Sequence, residues 1–191
     1  MLRIGAMAWV GIILVFLVLI IVIYALKAYN GFIRMVNKID EAYATMDVYL
    51  KKRYDLIPNL VNTVKGYAAH EQETLDKVIK ARNTAQGAAT VEDKIAGENA
   101  LSGTLKTLFA VAEAYPDLKA NTNFINLQQQ LQNIEGEIAN SRKYYNAVVR
   151  DYNTKTQVFP SSIIAGMFKF EKKTMFEITN SEERENVTVQ F

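Results

Sequence analysis

The chain has 191 residues, half of them hydrophobic, with 22 Lys and Arg against 20 Asp and Glu and a net charge of +2. That length and apolar content suffice for one ordinary domain with a sizeable core, and the even charge balance excludes the concentrated basic footprint of a nucleic-acid binder. The absence of cysteine excludes disulfides, thiolate nucleophiles, thiolate-held metals and a lipid-modified N-terminal Cys.

The first element is the plainest. No side chain from Ile4 to Leu26 is charged and most are aliphatic, enough at ~1.5 Å per residue to cross a ~30 Å hydrocarbon layer. Trp9 and Tyr24 lie near the two ends of the run, where amphipathic rings anchor a span. A cleaved signal peptide is the competing reading, but its apolar region is usually ~7–15 residues and ends in a small-x-small site, for which "YALKAYN" is a poor match. Residues 1–27 therefore read as a membrane anchor. Arg3 stands on one side, and Lys27, Arg34 and Lys38 stand on the other with Lys51, Lys52 and Arg53 beyond. By the positive-inside rule the body faces the cytoplasm and the N-terminus faces out.

Beyond the anchor, Val36, Ile39, Tyr43, Met46, Leu50, Arg53, Ile57, Leu60, Val64, Tyr67, Glu71, Thr74, Val78 and Ala81 follow alternating spacings of three and four, the seam of a helix that packs along its length. The phase does not slip at Pro58. A continuous helix with a hinge at Tyr54, Asp55 and Pro58 is thus expected, because proline removes the N–H that would bond the Tyr54 carbonyl. The alternative ends the helix there and starts a second one, with Asp55 as its N-cap.

The polar, small-residue stretch around 83–90 reads as a turn. A weaker stripe follows through Val91, Ile95, Leu101, Leu105, Leu108, Ala112 and Tyr115, closed by Pro116. The last long helix is expected over about 122–157, with Phe124, Leu127, Leu131, Ile134, Ile138, Ser141, Tyr145, Val148 and Tyr152 on its seam. The body spans 28–170, leaving 171–191 as a tail that is either flexible, as chain ends usually are, or partner-docking, with Val187, Val189 and Phe191 alternating with polar residues. Such a strand-like end can dock by adding to a partner's sheet edge.

Four blocks carry a family resemblance: "LKKRYDLIPNLVNTVKGYAAHEQETLDKVIKAR" (50–82), "AVAEAYPDLKANTNFINLQQQL" (110–131), "RKYYNAVVRDYN" (142–153) and "FPSSIIAGMFKF" (159–170). Over roughly residues 25–176 the chain resembles the LemA family of bacterial membrane proteins. The resemblance implies one N-terminal membrane helix followed by an α-helical bundle, located in a bacterial cytoplasmic membrane. It implies no enzymatic reaction and no cofactor, and one branch of the family is associated with magnetosome membranes. It transfers no catalytic residue, and it says nothing of the tail after about 176.

The residues themselves agree. His70 with Glu73 shares a helix face, but Thr74 stands where a zinc protease needs its second histidine. Glu113 and Asp117 sit at a helix end, where they meet solvent and turn backbone, and no third group supports an acid–base pair. Lys51, Lys52 and Arg53 are too few for a lipid-recognition cluster. Tyr29, Tyr49, Tyr54 and Tyr144 fall off the seams and are expected at contacts between copies.

The expected architecture is all-α: a transmembrane helix and then a long antiparallel helical bundle or coiled-coil hairpin. The middle helix is too short to cover both long ones, so part of a seam is expected to meet another copy. The expected role is a non-enzymatic, self-assembling scaffold without metal or cofactor, with membrane lipid and further copies as partners. The alternative is an adaptor docking to another membrane protein, such as a protease or signalling component.

Overall fold

The computed structural model describes residues 5–176. Among these residues every regular element is helical: α1 (Ala6–Lys65), α2 (Gln72–Gln86), α3 (Val91–Ala112), α4 (Pro116–Lys119), α5 (Thr122–Gln157) and α6 (Ser161–Met167). The fold is all-α. Val187, Val189 and Phe191 of the expected docking tail lie outside the described residues. The chain divides into two compact units, one of Met1–Glu41 with Ala147–Lys173 and one of Ala42–Asn146 with Thr174–Phe191.

In the first unit, the beginning of α1 has no neighbour among the described residues. From Trp9 to Ile23 its large apolar side chains are 47–65% exposed, the coverage a side chain receives from its own helix alone. Packing starts at Ala28 and Phe32, which are buried. The Phe32 ring stands edge-on to Tyr152 of α5 with centroids 6.0 Å apart, and it stacks on Phe170 at 4.7 Å. Phe170 is held there by the end of α6. Its N–H bonds to Ala165 O at 2.9 Å and the Lys169 N–H bonds to Gly166 O at 3.4 Å, the paired bonds of a Schellman C-terminus. The left-handed position of that motif is usually glycine, and here Lys169 occupies it with φ 56°, at a steric cost of roughly 1 kcal/mol.

In the second unit, α1 and α5 run antiparallel. Tyr43 meets Tyr145, Arg53 meets Glu135 and Tyr67 meets Asn121, so positions rise along one helix as they fall along the other. The seam of α1 is almost wholly sealed, with Met46, Leu50, Ile57, Leu60 and Val64 at most 2% exposed. Opposite lie α2 and α3, a helical pair joined through Gly87. Thr90 caps α3, its hydroxyl accepting from Asp93 N at 3.0 Å, one of the orphan donors of a helix start. The middle helices thus cover the α1 seam of this unit, while on the α5 seam Leu127 and Ile134 stay half-exposed.

Three expectations need correction. First, the seam from Val36 to Ala81 belongs to two helices: α1 stops at Lys65, before Gly66, and α2 begins at Gln72. Two helices packed on one core share the three-four rhythm, so periodicity is blind to the turn between them. Second, the first half of α3 buries Lys94, Gly97 and Glu98 while Val91 and Ile95 are half-exposed. Gly97 has turned the stripe, because a Cβ there would stand 2.7 Å from Ala85 Cα of α2. Third, Tyr54 is 2% exposed and unavailable to another copy, while the Tyr29 ring packs on Phe168 and Phe170 within its own unit. At Pro58, α1 continues as one helix.

Candidate functional site

The second unit contains a buried ion network, built on α1, α3 and α5. Arg53 occupies a seam position of α1 between Leu50 and Ile57, so the helix carries its guanidinium into the core, where the residue is fully buried. Its Nη1 donates to both oxygens of Glu135 on α5, at 2.8 and 2.9 Å, and its Nη2 lies 2.9 Å from Oε2 of the fully buried Glu98 on α3. The second contact is an ion pair at an angle too poor for a hydrogen bond. Arg142 of α5 brings Nη2 to 3.5 Å from the same Glu98 oxygen. The other Glu98 oxygen accepts from the Tyr54 hydroxyl. Lys94 lies nearby, with Nζ 3.5 Å from Asp47 and 5.6 Å from the Tyr54 ring centre.

Three cations thus face three carboxylates. Burial, followed by the Glu98 carboxylate as charge and as hydrogen-bond acceptor, pushes the Tyr54 phenol well above its ordinary pKa. Burial and the charges of Asp47 and Glu98 raise Tyr43 too. Both phenols are therefore protonated at neutral pH, and the Tyr54 hydroxyl donates to Glu98. The network cannot slip: sliding α3 by one position against α1 would bury charges without partners, at several kcal/mol each. It aligns three helices.

Beside the network, α3 and α5 part to leave a groove of about 600 Å³. Leu105, Leu131 and Ile138 line its apolar part; Ser102, Lys106, Glu135 and Arg142 supply polar groups. Beyond the groove, Tyr145 OH bonds to Thr174 O at 3.0 Å, while the Asn146 amide donates to Phe176 O at 3.0 Å and accepts from Phe176 N at 2.7 Å. The first unit repeats the device: Tyr152 OH bonds to Glu171 O, and Asn153 exchanges two bonds with the Lys173 backbone. The Tyr-Asn pairs in "YYNAVVRDYN" are thus backbone clasps for residues 171–176.

Trp9 and Tyr24, the expected anchors, are exposed on α1. Of the residues expected to form a hinge, Tyr54 is buried in the network, Pro58 is half-buried, and Asp55 is exposed and pairs with Lys51 at 2.7 Å. His70 is exposed in the α1–α2 turn, and Glu73 pairs with Lys77 at 2.7 Å, whose hydrogen bond and charge lower the Glu73 pKa. Glu113 pairs with Lys119. Among the described residues no group of His, Cys, Asp and Glu is assembled to hold a metal. Sequence reasoning missed Glu98, Glu135 and Arg142. Its one visible signal was Arg53, a charge standing at a seam position.

These features define a class, an all-α body whose first helix is long and apolar enough to cross a membrane. The chain belongs to the LemA family, whose sequence model matches residues 42–191. That match runs past residue 176, where the resembling blocks stopped, and takes in the whole tail. The chain is 25% identical over 158 residues to protein LemA of Metamycoplasma hominis, covering 80% of this chain and 70% of that one. To magnetosome protein MamQ 2 of Paramagnetospirillum magneticum it is 25% identical over 178 residues, and to magnetosome protein MamQ of Magnetospirillum gryphiswaldense 24% over 177. The chain spans 65% of the length of each of these magnetosome proteins. None of these names denotes an enzyme, and family and first helix together mark a membrane-associated protein.

Proposed function

We propose that the protein is a non-enzymatic scaffold, anchored in the bacterial cytoplasmic membrane by α1 and assembling with further copies of itself. The observation that carries the anchoring is the unbroken exposure of apolar side chains from Trp9 to Ile23, which water would not tolerate and a hydrocarbon layer satisfies. Trp9 and Tyr24 then hold the two interfaces. The excess of Lys and Arg after the span favours a cytoplasmic body with the N-terminus outside. Self-assembly is supported by exposed Val48, Ile125 and Tyr144 on the helical body and by confinement to a plane, which raises effective concentration so that modest contacts suffice. That two relatives are named magnetosome proteins is compatible with a role in organising membrane. The network supports the same reading, since its ion pairs tie α1, α3 and α5 together as a stiff helical body.

The groove between α3 and α5 favours a second reading, an adaptor that receives part of another membrane protein, because mixed apolar and polar grooves between helices suit a docking segment. Extraction in mild detergent followed by mass measurement separates the two. One uniform homo-assembly of many copies is the scaffold's result. A monomer or dimer holding one defined membrane protein at fixed ratio is the adaptor's. Protease added outside intact cells tests orientation, and digestion of the body would reverse it.

A further inference from the structure

We infer that α6 and the residues flanking it form a second membrane contact, a short amphipathic foot lying in the lipid interface beside the point where α1 leaves the bilayer. The inference rests on the anchoring of α1 proposed above and adds a lipid-binding surface to it.

Ile163 and Met167 lie four residues apart on one side of α6, at 55% and 69% exposure, and Phe159, just ahead of the helix, is 81% exposed. Val158 and Phe168, flanking these residues in sequence, are 49% exposed each. Ser161, Ile164 and Ala165, on the other side, are buried. Exposed apolar groups this dense are an unpaired surface for which water is a poor solvent.

The position of the patch names its occupant. The Phe168 ring lies 4.7 Å from that of Tyr29. Tyr29 is three residues beyond Leu26, the last side chain of the exposed apolar run, so Phe168 sits about 4.5 Å along α1 from the end of that run. The polar interface of a bilayer extends ~5–8 Å beyond the hydrocarbon on each side, and interfacial helices bury their apolar face ~5–10 Å into that boundary. Phe168 therefore falls at interface depth whichever way the protein points across the membrane. The charges fit an anionic surface: Lys27 follows the span and Lys169, Lys172 and Lys173 follow α6, against Glu171 alone in that stretch. Lys169 keeps its left-handed place at a steric cost that glycine would not incur, and there its ammonium can reach lipid headgroups.

The chain has no cysteine, which permits a clean test on the full-length protein in vesicles of phosphatidylcholine and phosphatidylglycerol. Phe159→Cys and Met167→Cys are each labelled with an environment-sensitive dye, with Asp151→Cys on exposed α5 as the control. Flotation of the same vesicles reports anchoring independently. The expected result is flotation, quenching of the dyes at 159 and 167 by a lipid-borne quencher, and aqueous thiol labelling at these two sites slowed about tenfold relative to position 151, as for an interfacial segment. If the protein floats and both sites label as fast as the control, the foot is overturned while the anchor stands. Failure to float removes both. Protection that persists in detergent and rises with protein concentration would mean that another copy, not lipid, covers the patch, and would also overturn it.

Discussion

The backbone carbonyl of Tyr54 accepts a hydrogen bond from Arg82 Nε at 2.9 Å. This is the carbonyl that Pro58, four residues later and without an N–H, cannot satisfy. A side chain of α2 has taken the place of the missing helical donor, so α1 passes through its proline without leaving a buried acceptor empty. Arg82→Met should lower stability by about 1–3 kcal/mol, the range for a charged hydrogen bond to a partly buried acceptor. Combined with Pro58→Ala, which restores the N–H, the same change should cost at least ~1 kcal/mol less. Unfolding of the full chain followed by circular dichroism in detergent measures the cycle, and additive effects would show that Arg82 acts by other contacts.

The pairing of Arg53 with Glu98, both fully buried, sets a second expectation. Glu98→Gln should destabilise by about 3 kcal/mol, because it leaves buried guanidinium charge under-compensated. Combining Arg53→Met with Glu98→Gln should cost less than the two single changes summed, because the second change no longer strands the Arg53 charge, although Glu135, Arg142 and Tyr54 each still lose a partner. If the double change is as damaging as the two single changes summed, the residues do not act as a pair.

Gly97 separates close packing from helix propensity. Gly97→Ala forces a methyl to 2.7 Å from Ala85 Cα and should cost about 1–3 kcal/mol by overpacking. Gly103→Ala in α3 and Gly136→Ala in α5 meet open space and should stabilise by up to ~1 kcal/mol. Melting temperatures of the three variants test the contrast, and a stabilised Gly97→Ala would show that α2 and α3 are free to move apart.

The Tyr54 phenol sets a pH dependence. Its pKa in the folded protein is raised above the ordinary 10.0, so the folded state holds this proton after the unfolded chain has lost it. The stability it contributes is complete below about pH 10 and is lost as pH climbs above that value. Tyr43, raised in the same direction, adds to the decline. Tyr54→Phe should be less stable at neutral pH, having lost its bond to Glu98, and should show a shallower fall between about pH 10 and 11.5. An unchanged slope would exclude Tyr54 as its source.

Much of the fold was legible because it rests on local rules. The span needs only length and apolarity, and α5 falls over Thr122–Gln157, as its unbroken seam predicted. The continuity of α1 through Pro58 agrees with a phase that did not slip, although that phase ran on across the turn after Lys65 as well and so decided neither point alone. The end of α1 at Lys65 was invisible, since α2 resumed the same rhythm. The Tyr-Asn clasps were hidden for another reason: their partners are backbone atoms of residues 171–176, and a backbone acceptor leaves no mark in a sequence. In α3 the pattern was misleading, because the bulk of Ile95 drew attention away from Gly97 and Glu98, which face the core.

The sequence by itself determined that this protein is helical and has an apolar first helix, because helical periodicity and transfer from water act on residues one stretch at a time. Only the tertiary structure decided what the polar residues do. Arg53 finds Glu98 and Glu135 across separations of 45 and 82 positions, and Arg82 finds the carbonyl freed by Pro58. Such pairings depend on distances between helices, which electrostatic and hydrogen-bonding energies sense steeply and which no local spacing encodes.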